Sequence, residues 1–267
     1  MYKLLVCDLD GTLLDDRGNF PENNLIYIKK ITDAGVAFAI CSGRSYLSLA
    51  RFEKTLGLDK PGCFGIGFNG AMVYETASHK ILLDERLARE TAFEIISAAR
   101  NYNVELVVYD GDRLIAEKAT PFQIHYAERA GLELQLIDSY GDLPNDVSKI
   151  LLLGEPENLQ TAARDFSGMI GGRATQFFSS PGLYEFLSPT ANKGTGLKFL
   201  AAHLGIPIER TVAVGDQMND IDMIRAAGLG VAVANALPAV KAAADYVSET
   251  TNNYGILSDS NLFEKIN

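Results

Sequence analysis

Short unbroken apolar runs alternate along this chain with longer segments whose apolar residues return at helical spacing. Leu4-Leu5-Val6-Cys7, Val36 to Cys41 and Thr211-Val212-Ala213-Val214 are runs of the first kind. Each is brief and ends at a turn, the pattern of a strand buried on both faces of a parallel sheet. Between the first two, Pro21 starts and Gly35 stops an amphipathic helix carrying Leu25, Ile28 and Ile31. The chain therefore opens as a parallel β-α-β unit. A second helix is predicted over Ser45 to Leu56. Phe64 to Phe68 and Met72 to Glu75 then flank Asn69-Gly70, a strong hairpin signal, and Ile81 to Asp84 reads as a further strand.

Beyond Asp84 the pattern changes. Helices are predicted at Thr91 to Asn101, Pro121 to Ala130 and Glu157 to Phe166. Strands are predicted at Val104 to Tyr109, Arg113 to Glu117, Ser148 to Leu153, Thr175 to Phe178 and Tyr184 to Leu187. The turn Asp110-Gly111 makes a hairpin inside this stretch, which argues for a separate α+β module. The regular alternation resumes near Pro189. The predicted fold is α/β, a doubly wound, mostly parallel Rossmann-like core of residues 1–82 and 189–267 with an inserted α+β domain of residues 83–188. No linker, repeat or low-complexity segment interrupts it.

The chain has 267 residues, 47% of them apolar, enough for a large core. A net charge of −10, from 24 basic and 34 acidic residues, argues against nucleic-acid or anionic-membrane partners. No apolar segment reaches the roughly 18 residues of a membrane span, and the first strand begins at Lys3, so a cytoplasmic location is expected. No obligate protein partner is evident. Cys7, Cys41 and Cys63 lie in or beside apolar runs without metal or disulfide spacing and read as buried thiols.

Chemistry enters at the ends of the apolar runs. Asp8-Leu9-Asp10-Gly11-Thr12 follows the first, and in extended backbone Asp8 and Asp10 project the same way, toward one small volume at the carboxyl end of a strand. Two neighbouring carboxylates repel unless a cation joins them, and Mg2+, a hard ion that shares its shell with substrate phosphate, suits them best. Gly215-Asp216-Gln217-Met218-Asn219-Asp220 follows another run. A helix starting near Gln217 would put Asp220 in its first turn, able to share a metal with Asp216. Ser42-Gly43-Arg44 offers a hydroxyl, a flexible backbone and a guanidinium to an anion. Lys193, between Asn192 and Gly194, places an ammonium at a helix start, where the helix dipole opposes it. Each segment also has an ordinary reading: an acidic turn, an acidic helix start, a Ser-Gly turn and a solvated lysine.

Taken in order, Asp8-x-Asp10-Gly-Thr12, Ser42-Gly-Arg44, Lys193 and Gly215-Asp216-x-x-x-Asp220 resemble the four motifs of the haloacid dehalogenase-like phosphohydrolases. Asn69-Gly70-Ala71-Met72-Val73-Tyr74 and Val231-Ala232-Val233-Ala234-Asn235-Ala236 look like the Cof-type branch with a type IIB cap. The resemblance covers both core segments. The middle matches only in length and character.

That resemblance implies a Mg2+-dependent phosphatase of small phosphomonoesters, such as sugar phosphates or phosphorylated cofactors. Asp8 would be the nucleophile, forming an aspartyl phosphate, and Asp10 the general acid and base. The metal would be held by Asp8, the Asp10 carbonyl and Asp216, with Asp220 direct or one step removed. Ser42 and Lys193 would hold the phosphoryl oxygens with the Gly43 backbone, while Arg44 and Asn219 orient neighbours or substrate. A phosphosugar mutase and a non-catalytic phosphoacceptor or binding protein are the rival functions. Ser42 stands where the family more often has Thr. Tyr254, in Asn252-Asn253-Tyr254-Gly255-Ile256, stands where an Asp is usual, so that segment is left out of the metal site.

Gly65-Ile66-Gly67-Phe68-Asn69-Gly70 has dinucleotide-loop spacing but leads into a hairpin rather than a helix, which argues against a nucleotide site. His79, His125 and His203 are isolated, with His125 in the insert a possible substrate contact. Tyr102, Tyr109, Phe122 and Tyr126 are expected to pack the insert, and Arg173, Tyr184 and Glu185 are weaker candidates for a specificity pocket.

Overall fold

The computed structural model describes residues 1–143, 145–260 and 262. The closing residues of the expected core, 263–267, lie outside them. In chain order the first elements are β1 (Leu4–Asp8), α1 (Glu22–Asp33), β2 (Ala37–Cys41), α2 (Tyr46–Leu56), β3 (Cys63–Gly67), β4 (Met72–Glu75) and β5 (Ile81–Asp84). Next come α3 (Arg89–Ala99), β6 (Glu105–Asp110), β7 (Arg113–Ala116), α4 (Pro121–Ala130), β8 (Leu134–Leu136), β9 (Lys149–Leu153), α5 (Pro156–Ile170), β10 (Thr175–Ser180) and β11 (Leu183–Leu187). The last are α6 (Lys193–His203), β12 (Thr211–Gly215), α7 (Ile221–Ala226), β13 (Leu229–Ala232), α8 (Pro238–Ala243) and β14 (Tyr246–Val247).

Packing divides the chain into two compact units. The first comprises Met1–Gly43, Leu49–Leu83 and the chain from Asn192 onward. Its eight strands run in the order β14-β13-β12-β1-β2-β3-β4-β5. From β14 to β3 every neighbouring pair is parallel, which is the doubly wound α/β sheet that the apolar runs predict. Leu4 and Val6 of β1, Ala39 and Cys41 of β2 and Ala213 of β12 pack with Leu197, Leu200 and Met223 from α6 and α7. Their strand neighbours Leu5, Cys7, Phe38 and Ile40 are buried too, so both faces are covered and the runs need no polar alternation. All three cysteines are buried, and burial raises their thiol pKa values, Cys63 to about 11.

The hairpin at Asn69-Gly70 joins antiparallel β3 and β4, with Ile66 opposite Val73 and Gly67 opposite Met72. Asn69 takes a left-handed φ of 53°, which Asn tolerates better than most residues. Gly70 is required by close approach: a Cβ there would lie 2.0 Å from the Asn192 carbonyl oxygen. Gly70 therefore serves backbone packing against the start of α6.

The second unit comprises Arg44–Ser48 and Asp84–Ala191. Residues 44–48 join it because the Leu47 N–H donates to Asp112 Oδ1 at 3.2 Å and the Ser48 hydroxyl to the Ala130 carbonyl at 2.7 Å. Its sheet has the order β10-β11-β9-β6-β7-β8, antiparallel except for β7 and β8. Leu106, Val108, Ile150, Leu152, Tyr184 and Phe186 point from one face into a core completed by Ile95 and Ile96 of α3 and Leu159, Ala162 and Phe166 of α5.

Element boundaries moved where tertiary contacts intervene. Helix α3 begins at Arg89, not Thr91, because Asp146 Oδ1 accepts the Arg89 N–H at 2.9 Å. Helix α5 runs to Ile170, one turn beyond Phe166, because Ile170 extends the buried stripe. Helix α4 spans its predicted residues, set by a Thr120–Gln123 capping box, Pro121 in the first turn and Gly131 at φ 67°. The short edge strands β8 and β14 are additions that the apolar pattern did not signal.

Candidate active site

Parallel neighbours bring three loops to one edge of the first sheet. Asp8 ends β1 opposite Cys41 of β2, and Cys7 lies opposite Val214 of β12. The residues following these strands, Leu9 onward, Ser42 and Asp216, therefore leave at the carboxyl edge beside one another, where such sheets bind ligands.

Asp8, Asp216 and Asp220 meet there. All three are buried, and each offers a carboxylate oxygen within 4.8 Å of the others. The Lys193 ammonium joins them, donating to Asp8 Oδ1 and, at 2.5 Å, to Asp220 Oδ1. Lys193 sits at the first position of α6 behind Asn192, whose Oδ1 accepts the Thr195 N–H at 2.8 Å. The helix dipole disfavours an ammonium there, and the two carboxylates compensate it.

Asp220 is not in the first turn of an α-helix, as the spacing suggested. It closes a single 3-10 turn, Met218–Asp220, ahead of α7. This lets its Oδ2 turn back to accept the backbone N–H groups of Asp216 and Gln217, both at 2.9 Å. Gly215 makes room, since a Cβ there would lie 2.5 Å from the Asp220 carboxyl carbon. Asp216 is held by the Thr12 hydroxyl at Oδ1 and the Gln217 amide at Oδ2, each at 3.0 Å. Gly11, at φ +84°, passes beside it where a Cβ would stand 2.6 Å from Asp216 Oδ2.

Burial raises the Asp8 carboxyl pKa, Asp220 and Asp216 add to it, and Lys193 opposes. Asp216 is raised by the same burial and by Asp220. Burial alone would lower Lys193, but the Asp220 and Asp8 carboxylates outweigh it and hold the ammonium well above its usual value. Three carboxylates against one ammonium leave two negative charges uncompensated when all are ionised. An all-oxygen donor set with that deficit fits a hard divalent cation.

The remaining predicted residues are placed less centrally. Ser42 is buried, its N–H donating to the Ile66 carbonyl and its carbonyl accepting the Asn69 N–H. Gly43 lies against the Asn69 side chain, where a Cβ would come within 3.0 Å of Nδ2. Asn219 Nδ2 donates to Asn69 Oδ1 at 3.0 Å. Asp10 is exposed, and its carboxyl is not among the three clustered ones. Arg44 belongs to the second unit.

Four residues with no role assigned from sequence support this edge. Thr12 and Gln217 hold Asp216, Asn69 holds Asn219, and Asn235 Nδ2 donates to the Gly11 carbonyl at 2.8 Å. All four lie within segments already singled out from the sequence, Thr12 and Gln217 in the acidic motifs and Asn69 and Asn235 in the Cof-type segments, but the spacing did not indicate what each would hold. Near the C-terminus, Asn252 and Asn253 donate to the Asp16 carboxylate at 3.0 and 2.8 Å, while Tyr254 is exposed. Those two amides lower the Asp16 pKa.

Residues 5–258 match the family model described as haloacid dehalogenase-like hydrolase. Among curated proteins, 5-amino-6-(5-phospho-D-ribitylamino)uracil phosphatase YitU of Bacillus subtilis is 28% identical, covering 95% of this chain and 94% of its own. HMP-PP phosphatase of Klebsiella pneumoniae is 27% identical over 91% of this chain and 88% of its own. Among solved structures, TM0651 from Thermotoga maritima superposes with a TM-score of 0.88 at 31% identity, covering 100% of this chain and 98% of its own. A haloacid dehalogenase-like hydrolase from Bacteroides thetaiotaomicron superposes with a TM-score of 0.90 at 27% identity over the full length of both chains.

Proposed function

Because the chain belongs to the haloacid dehalogenase-like hydrolases, we propose that it is a phosphatase that hydrolyses small phosphomonoesters through an aspartyl phosphate. One observation carries this reading: the buried Asp8, Asp216 and Asp220 cluster with Lys193 held inside it. Relatives named as phosphatases support it, one of them for a substrate whose phosphate is borne on a ribityl chain.

In the first step an Asp8 carboxylate oxygen attacks phosphorus while the bond to the leaving oxygen breaks, and Asp10 gives that oxygen its proton. In the second, Asp10 takes a proton from water as the water oxygen attacks phosphorus, releasing phosphate and regenerating the Asp8 carboxylate. General acid-base help of this kind is worth about 10² to 10⁴ in rate. Lys193 fixes the Asp8 carboxylate through Oδ1 and presents positive charge to the phosphoryl oxygens. The Ser42 hydroxyl and the Gly43 backbone hold the same oxygens, while Asn219 and Arg44 orient what surrounds them. Mg2+ held by Asp8, the Asp10 carbonyl and Asp216, with Asp220 direct or one step removed, would supply positive charge between nucleophile and phosphate.

Residues 83–188 are in this reading the inserted cap domain that sets substrate specificity. The substrate is a small phosphorylated metabolite, a sugar phosphate or a phosphorylated cofactor. A cytoplasmic enzyme accords with this, and among the described residues no helix is long and apolar enough to cross a membrane.

The test is phosphate release from an aryl phosphomonoester, with Mg2+ and with chelator, by wild type and by Asp8→Asn. Mg2+-dependent turnover that vanishes in the variant supports the reading. Turnover that survives in Asp8→Asn removes the aspartyl phosphate, and transfer that requires a bisphosphate activator would identify a mutase instead.

A further inference from the structure

Two segments singled out in the sequence have no part in the chemistry proposed above: Val231-Ala232-Val233-Ala234-Asn235-Ala236 and Asn252-Asn253-Tyr254-Gly255-Ile256. Each follows a strand of the first unit. Because β12, β13 and β14 run parallel to β1, the chain leaving β13 and β14 emerges at the edge where Asp8 ends β1. The two segments meet there, the Ala234 N–H donating to the Thr250 carbonyl at 3.2 Å.

The loop that carries Asp10 depends on both. Beyond β1 the chain leaves the sheet, and its backbone polar groups need other partners. The Leu13 and Leu14 N–H groups turn back to the Leu9 carbonyl, and Leu14 bridges to Asp10. Three carbonyls of the loop are met by asparagine amides from elsewhere in the chain. Gly11 accepts from Asn235 at 2.8 Å, Leu13 from Asn24 at 2.9 Å and Leu14 from Asn252 at 3.0 Å. Asn235 uses both ends of its amide, since its Oδ1 accepts the Asn252 N–H at 2.9 Å. Asn252 is buried, and its Nδ2 also donates to Asp16 Oδ1 at 3.0 Å. A carboxamide suits these positions because it donates and accepts at once, whereas the isosteric carboxylate only accepts.

Asp10 sits between these holds. It is exposed, so core packing does not fix it. Its neighbour Gly11 is held by Asn235, and its bridge partner Leu14 by Asn252. Proton transfer requires heavy atoms about 2.6–3.2 Å apart, and a displacement of about 1 Å can cost 10²-fold in rate. We propose that Asn235 and Asn252 are positioning residues that fix Asp10 for proton transfer to the leaving oxygen. The inference rests on the phosphatase reading. The C-terminal segment, left out of the metal site because Tyr254 carries no carboxylate, acts instead through the Asn252 amide.

The experiment compares kcat/KM for p-nitrophenyl phosphate and phenyl phosphate, esters of similar size whose leaving groups differ in their need for a proton. Nitrophenolate departs readily as an anion, whereas phenolate, with a pKa of about 10 like the tyrosine phenol, gains from protonation. Wild type, Asn235→Ala, Asn252→Ala and the control Asn253→Ala are compared, each checked by thermal unfolding. The Asn253 side chain holds Asp16 and neither Gly11 nor Leu14. The ratio of the nitrophenyl to the phenyl ester is expected to rise at least about fivefold in Asn235→Ala and Asn252→Ala, a share of the 10² to 10⁴ that general acid catalysis supplies. It should keep the wild-type value in Asn253→Ala. The ratio cancels the folded fraction, so a purely structural role would not move it. Asn235 is exposed, which keeps the test available should Asn252→Ala fail to fold. An unchanged ratio in either folded variant overturns the proposal, as does an equal rise in Asn253→Ala. Absence of turnover of both esters by wild type overturns the phosphatase reading itself, and the positioning role with it.

Discussion

The Lys193 ammonium lies 2.5 Å from Asp220 Oδ1, although 27 positions separate the two residues along the chain. The contact explains a lysine at the first position of a helix, where the dipole disfavours it. It also links α6 to the turn that follows β12, and through Asp8 to β1.

Replacing Lys193 by Met leaves three buried carboxylates facing one another. In chelator the variant is expected to lose about 3–5 kcal/mol of stability, the usual cost of removing one partner from a buried pair. Added Mg2+ should restore part of this loss while phosphate release stays abolished. Thermal unfolding with and without Mg2+ checks it, and equal Mg2+ shifts in wild type and variant would contradict a shared site.

Gly11→Ala places a methyl 2.6 Å from Asp216 Oδ2 on a backbone at φ +84°. Strain of about 1–3 kcal/mol is expected, together with weaker Mg2+ binding as Asp216 is displaced. Titrating Mg2+ against thermal stability measures both, and unchanged Mg2+ affinity would show that Asp216 can move without consequence.

Asn24, buried in α1, donates to the Leu13 carbonyl at 2.9 Å and accepts the Leu257 N–H at 3.1 Å. Asn24→Ala should cost about 1–3 kcal/mol by leaving both backbone groups unpaired. Denaturant unfolding reads this directly. A loss no larger than that of an exposed substitution on the same helix, such as Ile26→Ala, would refute the assignment.

Glu53 supplies a pH test of stability. Burial raises its carboxyl pKa, partly offset by the hydrogen bond from the Tyr74 hydroxyl. An acid raised in the folded state binds its proton more tightly there. Its stabilising contribution is complete below the ordinary value of 4.5 and is lost as pH rises through the folded pKa. Glu53→Gln keeps an acceptor for Tyr74 and no longer titrates, so its stability relative to wild type should rise across that window. Denaturant midpoints at pH 4 and pH 8 compare the two proteins, and a constant difference would show that Glu53 does not titrate with folding.

Much of the fold was legible because its signals are local. Continuous apolar runs mark strands covered on both faces, and Thr120, Pro121 and Gly131 delimit α4 at its predicted residues. Boundaries failed where a distant group intervenes, as Asp146 does at the start of α3. In the site, Asp8, Asp216, Asp220 and Lys193 were all readable, whereas Asn69 was read as a hairpin residue and as part of a family-like segment, with no contact assigned to it. Its second role, receiving Asn219, depends on a partner 150 positions away.

By itself the sequence determined the order of all strands and helices but the edge strands β8 and β14, the parallel core, and the four segments proposed to carry the chemistry, since period, turn residues and short-range spacing are properties of neighbours in the chain. Only the tertiary structure decided which carboxylates share Lys193, that Asp220 turns back through a 3-10 turn, and that Lys149 and Glu185 sit buried together. Those outcomes follow from the register of strands far apart in the chain, and no local pattern encodes which side chains that register will bring into contact.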